Sequence, residues 1–204
     1  MADARKTKPP PWPPDGLPRC PWATADSLYL SYHDNVWGRP CRDDGFLFRM
    51  LILEGMQAGL SWHLVLKKEK AIVEAFEGLD PQRMASFGPA KVSELLLDPG
   101  IIRNRLKIEA AISNARACLE LAGKEGSLSG FLWSFVQNEP IVNDRRTMGD
   151  VPPTTGISDA MSLELRKRGF KFVGSTIMYS LMQAAGLVND HLRDCAFRLG
   201  DPKK

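Results

Sequence analysis

The chain has 204 residues and a mass of 22.7 kDa, enough for one hydrophobic core that needs no staples. Its 44% hydrophobic and 25% charged residues are globular in proportion, which excludes disorder as a whole. The 27 basic and 24 acidic side chains leave a net charge of only +3, which permits nucleic acid as a partner without arguing for it, and no apolar run of 18 residues is present to span a membrane.

Residues 1–18 hold six of the 15 prolines, a composition that forbids helix and favours an extended, disordered leader. No apolar stretch follows its charges, so it is not a secretory signal. A helical domain is expected over 19–200 and a short tail over 201–204. The four cysteines (Cys20, Cys41, Cys118, Cys195) are too few and too widely spaced for a disulfide framework. They point to a reducing cytoplasm, where cysteine more often binds metal or lies free.

From residue 21 onward the apolar spacing is helical. Over 44–56, Phe46, Leu47, Met50, Leu51 and Leu53 recur at three- and four-residue steps. A second helix is predicted over 61–76, a short one beginning at Pro81, and another over 91–97. The segment 103–121 is long and amphipathic. Helices over 129–136, 158–167 and 175–186 complete the set, with Ser158 and Ser175 expected as the caps of the last two. No segment alternates convincingly between apolar and polar residues, so an all-α, single helical domain is expected.

Three constellations carry chemistry. Cys20 and His33 near one end of the chain, and His191 and Cys195 near the other, make the donor set of a closed tetrahedral zinc site. If 191–195 is helical, its imidazole and thiol share one face. The alternative is two surface histidines and two buried cysteines that act as small apolar residues. His63, beside Trp62, has no partner pattern.

Around Glu54, which ends the apolar run LILEGMQAG, lie Trp22, Tyr29, Tyr32, Trp37 and Trp62. Such rings suit a pocket that stacks on a flat, electron-poor ring, and they equally suit a packed core. A carboxylate in that run must face water, pair with a cation or point into a site.

Third, the segment ELRKRGFKFVGSTIMYSLMQAAGLVNDH reads as two helices joined by a glycine-flanked turn. Backbone N–H groups at Gly174 and Ser175, with Lys171 beside them, would form an anion site suited to DNA phosphates.

These residues together resemble the DNA-3-methyladenine glycosylase I family of helix-hairpin-helix base-excision repair enzymes. The likeness runs from about Arg19 to Cys195 and rests on C-P-W at 20–22, Y-H-D-N-V-W-G at 32–38, E-G-M-Q-A-G-L-S-W at 54–62, G-I-I-R at 100–103, R-G-F-K-F-V-G at 168–174 and N-D-H-L-R-D-C at 189–195. The resemblance implies a structural zinc on Cys20, His33, His191 and Cys195, and a glycosylase acting as a monomer on double-stranded DNA that contains alkylated bases. It further implies that Glu54 contacts the extruded base, that Tyr32 and Trp62 stack on it, and that Trp22, Tyr29 and Trp37 complete the wall. Gly59 and Leu60 would wedge into the duplex, while Gly174 and its neighbours bind the lesion strand's phosphates.

Two positions depart from the family pattern: Val36 stands where an acidic residue is usual, and Lys68-Glu69-Lys70-Ala71-Ile72 replaces an Arg-Glu-x-aromatic-Arg run. Both bear on local ion pairs. Asp190 lies near where related enzymes carry a catalytic aspartate, and an ordinary helix-end role is expected for it. The rival readings are a non-enzymatic DNA-binding protein that retains the scaffold, and a small-molecule binder that uses the aromatic pocket.

Overall fold

A computed structural model describes residue 13 and residues 15–24 and 26–198; most of the expected leader and the whole tail lie outside these. Helix α2 (Asp44–Gln57) forms the centre. Asp43 caps it, its carboxylate accepting from the Phe46 N–H at 2.7 Å, and every residue from Leu47 to Met56 except Arg49 is buried. A helix apolar on nearly all sides belongs inside a core. Around it pack α3 (Trp62–Ala75), α6 (Arg105–Glu125), α7 (Leu128–Ser134) and α9 (Ser175–Ala184), while α4 (Pro81–Ala85) and α5 (Pro89–Leu97) pack on α6. Asn104 caps α6 from its side-chain oxygen, and Gly126, at φ +94°, ends it.

The helices expected from spacing form within a few residues of their forecast ends. Among the described residues one α-helix went unforeseen: α1 (Ser27–Asn35), whose sequence SLYLSYHDN has a faint apolar stripe, although Asp26 caps it by accepting from the Tyr29 N–H at 3.0 Å. Both expected serine caps are corrected. Thr155 caps α8 (Gly156–Lys167), and Ser158 is its third residue, donating instead to the Thr155 carbonyl. Gly174 precedes α9 and offers no side chain at all.

The fold is also not purely helical. A short parallel pair, β1 (Ile141–Val142) and β2 (Val188–Asn189), lines up Ile141 with Val188 and Val142 with Asn189. It lays the C-terminal segment beside 141–142, and this delivers Asp190 and His191 to the interior. Gly186, at φ +69°, allows that turn: a Cβ there would lie 2.1 Å from the Arg39 carbonyl carbon.

The turn between α8 and α9 is held from below. Asn114 of α6 accepts from the Lys171 N–H at 2.7 Å and donates to the Lys171 carbonyl at 2.9 Å. Gly55 of α2 sits directly beneath, where an added Cβ would touch the Phe172 Cβ at 3.4 Å. The turn is thus seated on the same helix that carries Glu54. The two departures from the family pattern have local partners: Lys68 donates to the Pro99 and Gly100 carbonyls, Glu69 pairs with Arg49, and Val36 packs against the core.

Candidate functional site

Cys20, His33, His191 and Cys195 meet in the interior, all at most 3% exposed, with their donor atoms within 4.8 Å of one another. Cys195 Sγ lies 3.3 Å from His191 Nδ1 and 3.5 Å from His33 Nε2, and Cys20 Sγ lies 3.8 Å from His191 Nδ1. Metal–ligand bonds of zinc length imply tetrahedron edges of about 3.3–3.8 Å, and these three separations have that length. The far nitrogens are fixed as well. His33 Nδ1 pairs with Asp34 at 2.7 Å, Asp34 is gripped by Arg19, and His191 Nε2 donates to the Trp37 carbonyl at 3.0 Å. Each imidazole therefore turns a defined nitrogen toward the sulfurs.

Cys195 is driven well below the usual thiol range, first by its hydrogen bond with Cys20 and then by the histidines; Cys20 is pushed up by Cys195 and then by burial. The route to this geometry differs from the one expected. Residues 191–195 are a bridge and turn, not a helix, and the turn closes His191 onto Cys195. Gly38, at φ +73°, lets the backbone pass the His191 ring, 2.8 Å from where a Cβ would stand.

Trp37 joins this cluster to a neighbouring cavity. Its ring lies 4.6 Å from that of His191 and stacks at 6.1 Å on His33, and its other neighbour, Trp22, meets it edge-on at 5.1 Å. The cavity, of about 280 Å³, is walled by Trp22, Tyr29, Tyr32, Trp37 and Trp62. Tyr32 and Trp62 are tilted at 5.3 Å centroid separation. All five expected rings and the expected carboxylate therefore line one space. Its volume suits a single flat heterocycle.

Glu54 is 3% exposed, and its Oε2 has no partner. Burial without a cation pushes its pKa up to about 8. The phenol of Tyr32 is raised well above its ordinary value by burial and then by the charge of Glu54.

The sequence reading missed Gln57, Met148, Val151, Ser180 and Gln183, which also line the cavity. Gln57 was the most accessible of these, one helical turn beyond Glu54. Met148 and Val151 come from the stretch before Pro152, whose sequence has no sign of a pocket.

His63 is better connected than expected: it stacks on Tyr29 at 4.9 Å and pairs with Asp26. Asp190 has no helix-end role. It is fully buried and holds Arg145, Asn143, Tyr179 and Gln183.

Gly59, at φ +73°, and the partly exposed Leu60 border a second hollow of about 320 Å³ with Thr176 and Ile177 of α9. It shares Gln57 and Ser180 with the first cavity. Lys171 is exposed and precedes half-buried Gly174 and Ser175 at the start of α9. Lys107, 7% exposed, donates to the Met56 and Ala58 carbonyls at 2.8 and 2.6 Å, tying off the end of α2 before Gly59.

The family profile described as methyladenine glycosylase matches residues 22–199. The DNA-3-methyladenine glycosylase 1 of Escherichia coli (strain K12) is 49% identical over 179 residues, covering 88% of this chain and 96% of that one. Among solved structures, a crystal structure of 3-methyladenine DNA glycosylase I shares 49% identity with a TM-score of 0.86, covering 88% of this chain and 98% of that chain. The Staphylococcus aureus structure reported for its recognition of 3-methyladenine is 37% identical at the same TM-score, covering 88% and 96%. No described helix is long and apolar enough to cross a membrane.

Proposed function

The chain belongs to the methyladenine glycosylase family, and from that premise we propose that it excises 3-methyladenine from alkylated DNA by hydrolysing its N-glycosidic bond. The observation that carries this reading is a buried, unpaired carboxyl facing a ring-walled cavity the size of one base.

A base inside a duplex is out of reach, so the nucleotide must be turned out of the stack at a cost of a few kcal/mol. Methylation at N3 makes adenine cationic and weakens its bond to the sugar. The leaving group departs as a neutral base, which removes the need for a strong general acid. The cavity's work is recognition. Aromatic faces attract the flat cation by roughly 0.5–2 kcal/mol each. Glu54, poised near pH 8 in the empty site, ionises beside it and accepts hydrogen bonds from its edge. An unmodified adenine brings no positive charge and leaves the carboxyl neutral. With the methylated base, the C–N bond breaks with its electron pair going to the departing base, and water adds at the sugar carbon and gives up a proton to solvent.

Among the described residues no lysine lines the cavity, which supports base release without strand cleavage through a covalent imine. The donor set and spacing of the Cys/His cluster support structural zinc, which would supply two-thiolate charge balance and a clasp between the chain's ends. The turn seated on Gly55 and clamped by Asn114 supports a helix-hairpin-helix contact. In it, backbone N–H groups at Gly174 and Ser175, with Lys171, hold phosphates, and Gly59 with Leu60 enters the gap left by the base.

Incubation with duplex DNA methylated by an alkylating agent, followed by chromatography of freed purines, tests the reading. Release of 3-methyladenine supports it. Binding without release would favour the non-enzymatic alternative, and absence of any salt-dependent duplex binding would favour a small-molecule site.

A further inference from the structure

Asp190 lies outside the cavity wall and is 0% exposed, yet every hydrogen bond it makes has a direction that matters. Its Oδ1 accepts from Asn143 Nδ2 at 2.7 Å and from Arg145 Nε at 2.9 Å; its Oδ2 accepts from the Tyr179 hydroxyl at 2.5 Å and from Gln183 Nε2 at 2.8 Å. Of these four partners, Gln183 alone lines the aromatic cavity. A glutamine amide has two nearly isosteric orientations, and its neighbours decide between them. Here a carboxylate surrounded by donors and paired with a guanidinium can only accept, so the amide turns its N–H end toward it. The amide oxygen of Gln183 is therefore left for the cavity. The Gln183 main chain is anchored too, its carbonyl accepting from the Gly38 N–H at 2.8 Å in the last turn of α9.

We propose that Gln183 is a specificity residue of this pocket, its oxygen held by Asp190 as a hydrogen-bond acceptor that selects purines bearing an amino group at C6 over those bearing an oxo group there. The inference rests on the base-excision reading of the cavity and deepens it. An adenine-type base presents N–H at C6, which satisfies the oxygen; a hypoxanthine- or guanine-type base presents a second acceptor, which leaves two oxygens facing each other in a desolvated site. Positive charge alone does not separate one alkylated purine from another; the C6 amino group carries two N–H donors, so the Gln183 oxygen adds a second acceptor to that of Glu54. Asp190 acts as a positioning residue, because it never meets the base and fixes only which end of the amide does.

The test compares binding of two free bases that differ at C6, 3-methyladenine and 3-methylhypoxanthine, to the full chain by tryptophan fluorescence. Release of 3-methyladenine from methylated DNA is measured alongside. The wild type should prefer the amino base by about tenfold or more. Gln183→Leu should bring the two affinities within about twofold, mostly through loss on the 3-methyladenine side. Asp190→Asn, which lets the amide turn over, should also shrink the ratio; if it fails to fold, Gln183→Leu carries the test unaided. An unchanged ratio in Gln183→Leu, with base release intact in the wild type, would overturn this inference and leave the glycosylase reading standing. A wild type that releases no methylated purine would overturn both.

Discussion

Trp37 and His191 are bound to each other twice: their rings lie 4.6 Å apart, and the His191 Nε2–H donates to the Trp37 carbonyl at 3.0 Å. One residue belongs to the Cys/His cluster and the other to the wall of the aromatic cavity, so the two are in direct contact. A metal in this cluster should accordingly support binding at a distance. Chelation, or Cys195→Ala, should lower the melting temperature by several degrees and weaken 3-methyladenine binding together. Asp34→Ala removes the partner of His33 and should reduce metal affinity about 10- to 100-fold, measured by competition with a chromogenic chelator.

Glu54 should cost the free protein stability as pH rises. Its folded pKa of about 8 lies above the ordinary carboxyl value of 4.5, so between those values the folded state binds the extra proton. The contribution is therefore neutral below about pH 4.5 and increasingly unfavourable up to about pH 8, by an amount of order several kcal/mol. Glu54→Gln should melt close to wild type at pH 4.5 and clearly above it at pH 8. Parallel melting curves across that range would contradict the burial argument.

Lys107 closes the end of α2 from beneath, and its ammonium satisfies two carbonyls that a helix terminus leaves open. Lys107→Met keeps the stem and strips the donor. It should destabilise the fold by about 1–3 kcal/mol in urea titrations and slow base release, because Gly59 and Leu60 follow directly from the released turn.

Much of the site was legible from residue type, less from local structure. Cys20, His33, His191 and Cys195 stand out by their donor chemistry, yet 191–195 is a turn and not a helix: it follows the parallel pairing of 188–189 with 141–142 and carries the Arg145–Leu192 bridge, contacts too short to leave an alternating pattern. The rings and Glu54 stood out because an acid interrupts an apolar helix. Met148, Val151 and Gln183 did not, since they reach the cavity through tertiary packing of segments far along the chain. Ser158 misled as a cap because Thr155, three residues earlier, completes a capping box with it.

Lys171 is exposed on the turn that Asn114 clamps, so it should act through charge alone. Lys171→Ala should weaken duplex binding uniformly across sequences and reduce the slope of log affinity against log salt by about one. Asn114→Ala, which frees the turn, should weaken binding further while leaving affinity for the free base within about twofold.

The most direct measurement is kcat/KM for release of 3-methyladenine by wild type and Glu54→Gln across pH 6–9. A carboxylate that must ionise to meet the cation gives a wild-type rate that rises with pH, has its midpoint near 8 and levels off above it, and a variant slower by roughly a hundredfold or more with no such rise. Equal rates, or an unaltered pH profile in the variant, would contradict the role assigned to Glu54.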